Sequence, residues 1–131
     1  MLEKKLLFPG SVLDIYVIFQ DGRSEVGEFL GHLSSPDLGQ FSHLKDALTY
    51  HGIPRNTSKF RNEGDGIYAL KTRNARIYGF FDGPRSFVLA LGFKKGAKGG
   101  RKVERRHCER AREIRKLLRS NEGQKKAQHG Y

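Results

Sequence analysis

The pattern of apolar and polar positions divides the chain into short blocks of two kinds. Val12 to Phe19 (VLDIYVIF) is β-branched and aromatic with few breaks, which predicts a strand covered on most of both faces. Asp21-Gly22 ends it. Val26, Phe29, Leu30 and Leu33 then recur at i, i+3, i+4 and i+7, the spacing of one face of an amphipathic helix. Ser35 and Pro36 supply an N-cap and a proline at the first helical position of a second helix, whose apolar stripe is Leu38, Phe41, Leu44 and Leu48. Gly52 and Pro54 stop it. The polar stretch from Arg55 to Gly66 predicts a loop.

Ile67 to Phe81 (IYALKTRNARIYGFF) reads as two strands joined at Arg73-Asn74, because asparagine tolerates the positive φ of tight hairpin turns. After a turn at Asp82-Gly83-Pro84-Arg85, the almost wholly apolar Ser86 to Phe93 predicts a central strand. Lys94 to Gly100 (KKGAKGG) is a glycine-rich loop, and from Arg101 the spacing of Val103, Ala111, Ile114, Leu117 and Leu118 is helical up to Arg119 or Ser120. The predicted order is therefore βααβββα. This is an α+β fold, with a small, mainly antiparallel sheet, two N-terminal helices and a C-terminal helix packed on it. At 131 residues it is one domain, residues 1–120, followed by a disordered tail, residues 121–131.

Composition narrows the function classes. The single cysteine, Cys108, excludes an intrachain disulfide and any cysteine-based zinc or iron–sulfur centre, which suits a reducing, cytoplasmic setting. No apolar run approaches the roughly 20 residues that cross a bilayer, so no membrane partner is expected. The net charge is +11 and is unevenly placed: up to Gly66 there are 7 basic and 9 acidic residues, and beyond it 18 basic and 5 acidic. Such density stores self-repulsion that a polyanion relieves, and nucleic acid is the leading candidate; a solvated basic helix that keeps the protein soluble is the other reading.

The stretch from Gly64 to Ala111 resembles the RelE/HigB superfamily of toxins, especially its phage-derived Gp49-like branch. The resemblance lies in an ordered set: Gly66-Ile67-Tyr68 opening a strand that ends in Lys71, Arg76 opening the next, which runs into Phe80-Phe81, and Gly92-Phe93-Lys94-Lys95 ahead of a basic helix. Element order extends the similarity to about Val12–Arg119. It implies the toxin of a toxin–antitoxin pair: a ribosome-associated endoribonuclease, an mRNA interferase that cleaves mRNA and inhibits translation. Its partners would be mRNA, the ribosome and a cognate antitoxin, often a helix-turn-helix protein.

A metal-independent ribonuclease must deprotonate a 2′-hydroxyl, stabilise the phosphorane and protonate the departing 5′ oxygen, and basic side chains can do all three. If Arg73-Asn74 form a two-residue turn, Lys71 lies opposite Arg76 and three cations, Lys71, Arg73 and Arg76, share one face near the hairpin tip. Neighbouring cations and partial burial favour the neutral amine that a base needs, so Lys71 is the candidate base, with Arg73 in support. Arg76 is the candidate phosphate ligand, because guanidinium binds phosphate bidentately. A splayed, solvated set of cations is the alternative reading.

Lys94, Lys95, Lys98 and Arg101 are candidate contacts to RNA backbone, or else belong to a simple connector. His107 falls near the apolar stripe of the last helix and is read as a packed histidine with acid–base chemistry as its alternative. The general acid is left among Arg101, Lys95 and His107. Cys108 has no nucleophile motif, the histidines have no metal-ligand spacing, and no GxxxxGK[ST] loop is present, so no metal or other cofactor is expected. A non-catalytic basic nucleic-acid- or ribosome-binding protein of the same fold is the second function reading. A binder of acidic proteins, resting on charge alone, is the third.

Overall fold

The β-branched run begins its pairing at Asp14 rather than Val12, whose N–H is turned to the Thr49 carbonyl at 2.9 Å. In this computed structural model, which describes residues 1–54, 58–96 and 100–129 with side chains as far as Glu122, the elements are β1 (Leu2–Phe8), β2 (Asp14–Gln20), α1 (Glu25–Gly31), α2 (Ser35–His51), β3 (Phe60–Gly64), β4 (Ile67–Lys71), β5 (Ala75–Phe81), β6 (Ser86–Lys94) and α3 (Gly100–His129). The mixed α+β class and the mainly antiparallel sheet are as expected; the order is ββααββββα, with two strands more than the sequence pattern predicted. The sheet runs β1-β2-β6-β5-β4-β3. β3 to β6 form an antiparallel meander, and β2 joins β6 in parallel.

The two added strands, β1 and β3, are the two edges of the sheet. An edge strand needs less apolar surface than a central one, and charges on it discourage pairing with other chains. That accounts for LEKKLLF and FRNEG, neither of which shows alternation strong enough to be read as a strand. Three further boundaries differ. The α2 cap is Ser34, whose hydroxyl accepts from Asp37 N–H, so Pro36 lies one residue deeper than expected. Leu38 is exposed while Phe41, Leu44 and Leu48 are buried. The last helix does not stop near Arg119 but continues to His129, and Asn121 Nδ2, expected in a disordered tail, donates to Leu2 O at 2.8 Å.

The sheet is covered on both faces. On one, Ile15, Val17, Leu70, Ile77, Phe87 and Leu89 pack against Val26 and Leu30 of α1 and Phe41, Leu44 and Leu48 of α2. On the other, Ile18, Ile67, Ala69, Tyr78, Phe80, Val88 and Leu91 meet Cys108, Ala111 and Leu118 of α3. A bulge in β6 serves the second face: Tyr78 pairs with Leu91 but Gly79 pairs with Leu89, so Ala90 is extra. Gly79 can only be glycine here, because a Cβ would stand 2.4 Å from Val88 O and 2.8 Å from the Phe87 ring.

Candidate nucleic-acid interface

The β4–β5 hairpin has the register the sequence suggested, with Lys71 opposite Arg76 and Arg73-Asn74 at the turn. Its turn is made differently. Asn74 does not adopt positive φ. Instead α2 reaches across and takes the turn's free donors: Arg73 N–H donates to Gln40 Oε1 at 2.6 Å, and Asn74 N–H donates to Asp37 Oδ1 at 3.0 Å. The Asn74 N–H, helped by the Thr72 and Ser34 hydroxyls, holds the Asp37 carboxyl below the ordinary carboxylate range against the opposing effect of burial.

Arg76 closes the same turn from the other face of the sheet. It is 8% exposed, and its Nη1 donates to Thr72 O at 2.7 Å and Ala75 O at 2.9 Å. One arm of the fork of Arg76, the expected phosphate ligand, is thus held by backbone carbonyls. Its Nε has no hydrogen-bond partner. Arg73 falls in the turn itself, past the end of strand alternation, and is exposed there, so it does not join Lys71 on the sheet face.

What gathers around Lys71 comes from other elements. An open groove of about 500 Å³ lies between the first half of α3 and the β3–β4–β5 end of the sheet, lined by Arg61, Lys71, Tyr78, Arg101, Arg105, Cys108 and Arg112 together with Glu63, Glu104 and Glu109. Arg61 pairs with Ala69, which places it on the α3 face; Arg101, Arg105, Cys108 and Arg112 follow one another at helical spacings of four, three and four along α3. Lys71 Nζ meets Glu63 Oε1 at 3.3 Å. Burial first, and then Glu63 and Glu104, push the Tyr78 phenol far above its ordinary value, so it keeps its proton. The first turn of α3 holds no acidic residue and carries Arg101 and Lys102, adding their charge to the positive end of the helix dipole.

The remaining expected contacts are scattered. Lys94 and Lys95 are exposed at the end of β6, where Lys95 N–H donates to Asn74 O at 2.9 Å. Lys98 lies outside the described residues. Arg101 lines the groove, whereas His107 does not; its ring stacks on Phe93 at 3.9 Å between centroids, and burial, followed by Arg110, lowers its pKa. Cys108 is a buried free thiol whose pKa burial raises, which makes it a poor nucleophile. Among the described residues no group of three or more His, Cys, Asp or Glu could hold a metal ion, and no helix is long and apolar enough to cross a membrane. Arg105 and Arg112 escaped the sequence reading, although projecting the basic positions of α3 onto a helix finds both. Arg61 had no such signal, since it sat in a segment read as loop.

Fold and groove together define an α+β protein with a cationic cleft under its last helix. No family model matches the chain, and no curated protein matches its sequence.

Proposed function

We propose that this protein binds RNA in the groove beneath α3 and cleaves mRNA on the ribosome without a metal ion, as the toxin of a toxin–antitoxin pair. The observation that carries the reading is the convergence of Arg61, Lys71, Arg101, Arg105 and Arg112 with the protonated Tyr78 in one open groove. In the reaction the Lys71 amine, having left Glu63 and given its own proton to solvent, accepts the 2′-hydroxyl proton. The 2′ oxygen bonds to phosphorus, the bond to the 5′ oxygen breaks, and that oxygen takes a proton from solvent water. Arg101, Arg105 and Arg112 offset the charge of the phosphorane, and Tyr78 donates a hydrogen bond to it. Arg76 is a positioning residue that fixes the turn beside Lys71. An acidic helix-turn-helix antitoxin would cover the same groove.

The test is a translating extract containing the protein and excess EDTA, with mRNA ends mapped. New ends are expected, and Lys71→Ala reduces their rate by about 100-fold or more, the usual contribution of a general base. Intact messenger would reject cleavage. The Glu63–Lys71 ion pair at 3.3 Å and the inward turn of Arg76 favour a second reading, non-catalytic binding of RNA or ribosome on the same surface. Its signature is unaltered mRNA ends with affinity that falls steeply as salt rises.

A further inference from the structure

Past Arg112 the basic stripe of α3 does not end. Arg112, Arg115, Lys116 and Arg119 stand at i, i+3, i+4 and i+7, hence on one side of the helix. With Asp65 and Ser120 they line a second open groove of about 530 Å³ beside the β3–β4 turn, and Arg112 belongs to both grooves. We propose that this is a further phosphate-binding subsite, which takes the sugar–phosphate backbone of the same single-stranded RNA that enters the Lys71 groove. The proposal rests on the reading of the ligand as RNA.

Three observations support it. The turn Gly64-Asp65-Gly66 runs through three consecutive positive φ values of 120°, 53° and 75°, a conformation two glycines make affordable, and it presents Asp65 to the helix. Arg115 Nη2 meets Asp65 Oδ2 at 2.9 Å while Nη1 donates to the Asp65 carbonyl, and Arg112 Nε lies 3.7 Å from Oδ2. One carboxylate thus holds two of the four cations that line this groove. The Arg112 Nε is buried and has no hydrogen-bond partner. Like charges three and four residues apart repel unless an anion intervenes, and among the described residues of this lining the cations outnumber the carboxylate by three.

The lining also identifies the ligand. Among the described residues it contains no apolar side chain, whereas protein partners are held by an apolar and aromatic interface core. Phosphate and sugar contacts are made by Arg, Lys and Ser. From Arg101 to Arg119 the stripe spans about 27 Å at 1.5 Å per residue, a reach suited to the several nucleotides of a typical single-strand site.

The decisive measurement is anisotropy of labelled 2′-O-methyl oligouridines, which cannot be cut, four and twelve nucleotides long, over a range of salt concentrations with the full chain. The twelve-mer should bind more tightly and with the steeper salt slope. Lys116→Ala/Arg119→Ala leaves the Arg115–Asp65 contact in place; it should lower the twelve-mer's slope by about 1.4, two phosphates at roughly 0.7 each, and leave the four-mer unchanged. Asp65→Asn, which removes the competing carboxylate, should tighten the twelve-mer. A twelve-mer bound with unaltered slope by the double variant overturns the subsite alone. Wild type that holds neither oligonucleotide overturns the RNA reading with it. A polyglutamate peptide whose binding is lost in the double variant, while the twelve-mer is held as before, assigns the stripe to an acidic protein instead.

Discussion

On the α1/α2 face, the β3–β4–β5 end of the sheet is filled with rings: Phe60 stacks on Tyr68 at 4.9 Å, and Phe87 lies 4.9 Å from Phe81 and 5.7 Å from Phe60. On the α3 face, alternate residues of the same strands are Arg61, Ala69 and Lys71, and the space over them is the open groove. Strand alternation sets this difference, because Tyr68 and Leu70 point one way and Ala69 and Lys71 the other. The small Ala69 lets α3 approach through Cys108 and Ala111 while leaving room for charged side chains. The teaching is that one edge of a small sheet can carry stability on one face and a binding surface on the other.

The largest effect expected from breaking that division is Phe87→Ala. Phe87 is fully buried among the rings, so the loss should be about 3–5 kcal/mol, read from the guanidinium unfolding midpoint. Lys71→Ala, on the other face of the same region, should stay within about 1 kcal/mol. Equal costs for the two substitutions would mean that the groove is part of the core.

A smaller effect separates positioning from contact. Arg76→Ala leaves the Thr72 and Ala75 carbonyls without their charged donor and should cost about 1–3 kcal/mol. Its loss of RNA cleavage should then be recovered in part at low temperature, where the turn is held by its other bonds, whereas the loss in Lys71→Ala should not. Cleavage by Arg76→Ala that stays as low as in Lys71→Ala in fully folded protein would make Arg76 a direct ligand after all.

The sequence revealed the elements that are strongly patterned, and for a physical reason. β6 and β2 are covered on both faces and had to be apolar throughout; α1 and the core stripe of α2 announce themselves at helical spacing. The edges were hidden, because β3 takes from its position only the burial of Phe60 and leaves Arg61 and Asn62 exposed. The site was half legible. Lys71 opposite Arg76 follows from counting across a two-residue turn, but the direction of the Arg76 side chain does not, since it depends on carbonyls exposed by the turn's own geometry. The partnership of Arg61 with Arg105 and Arg112 joins an unrecognised edge strand to a helix some forty residues later, and local pattern carries no trace of such a meeting.

The hairpin turn is held from both faces, with Arg76 bonding the Thr72 and Ala75 carbonyls from the α3 side and Asp37 taking the Asn74 N–H from the α2 side. Asp37→Asn should give the smallest of these effects and the most diagnostic, because it depends on pH. The Asn74 N–H holds the Asp37 carboxyl below its ordinary value near 3.8 in the folded chain, so the stabilisation it gives is fully present above about pH 4 and is lost as the pH falls through the lowered value. The Tm of wild type should therefore exceed that of Asp37→Asn at pH 7, and the gap should narrow as the pH falls below about 4. A gap that does not narrow on acidification would show that shape rather than charge holds the turn. In the double variant with Arg76→Ala the losses should sum to more than their separate values, since either contact alone keeps Thr72 to Ala75 in place for the other; strict additivity would mean that the two faces grip the turn independently.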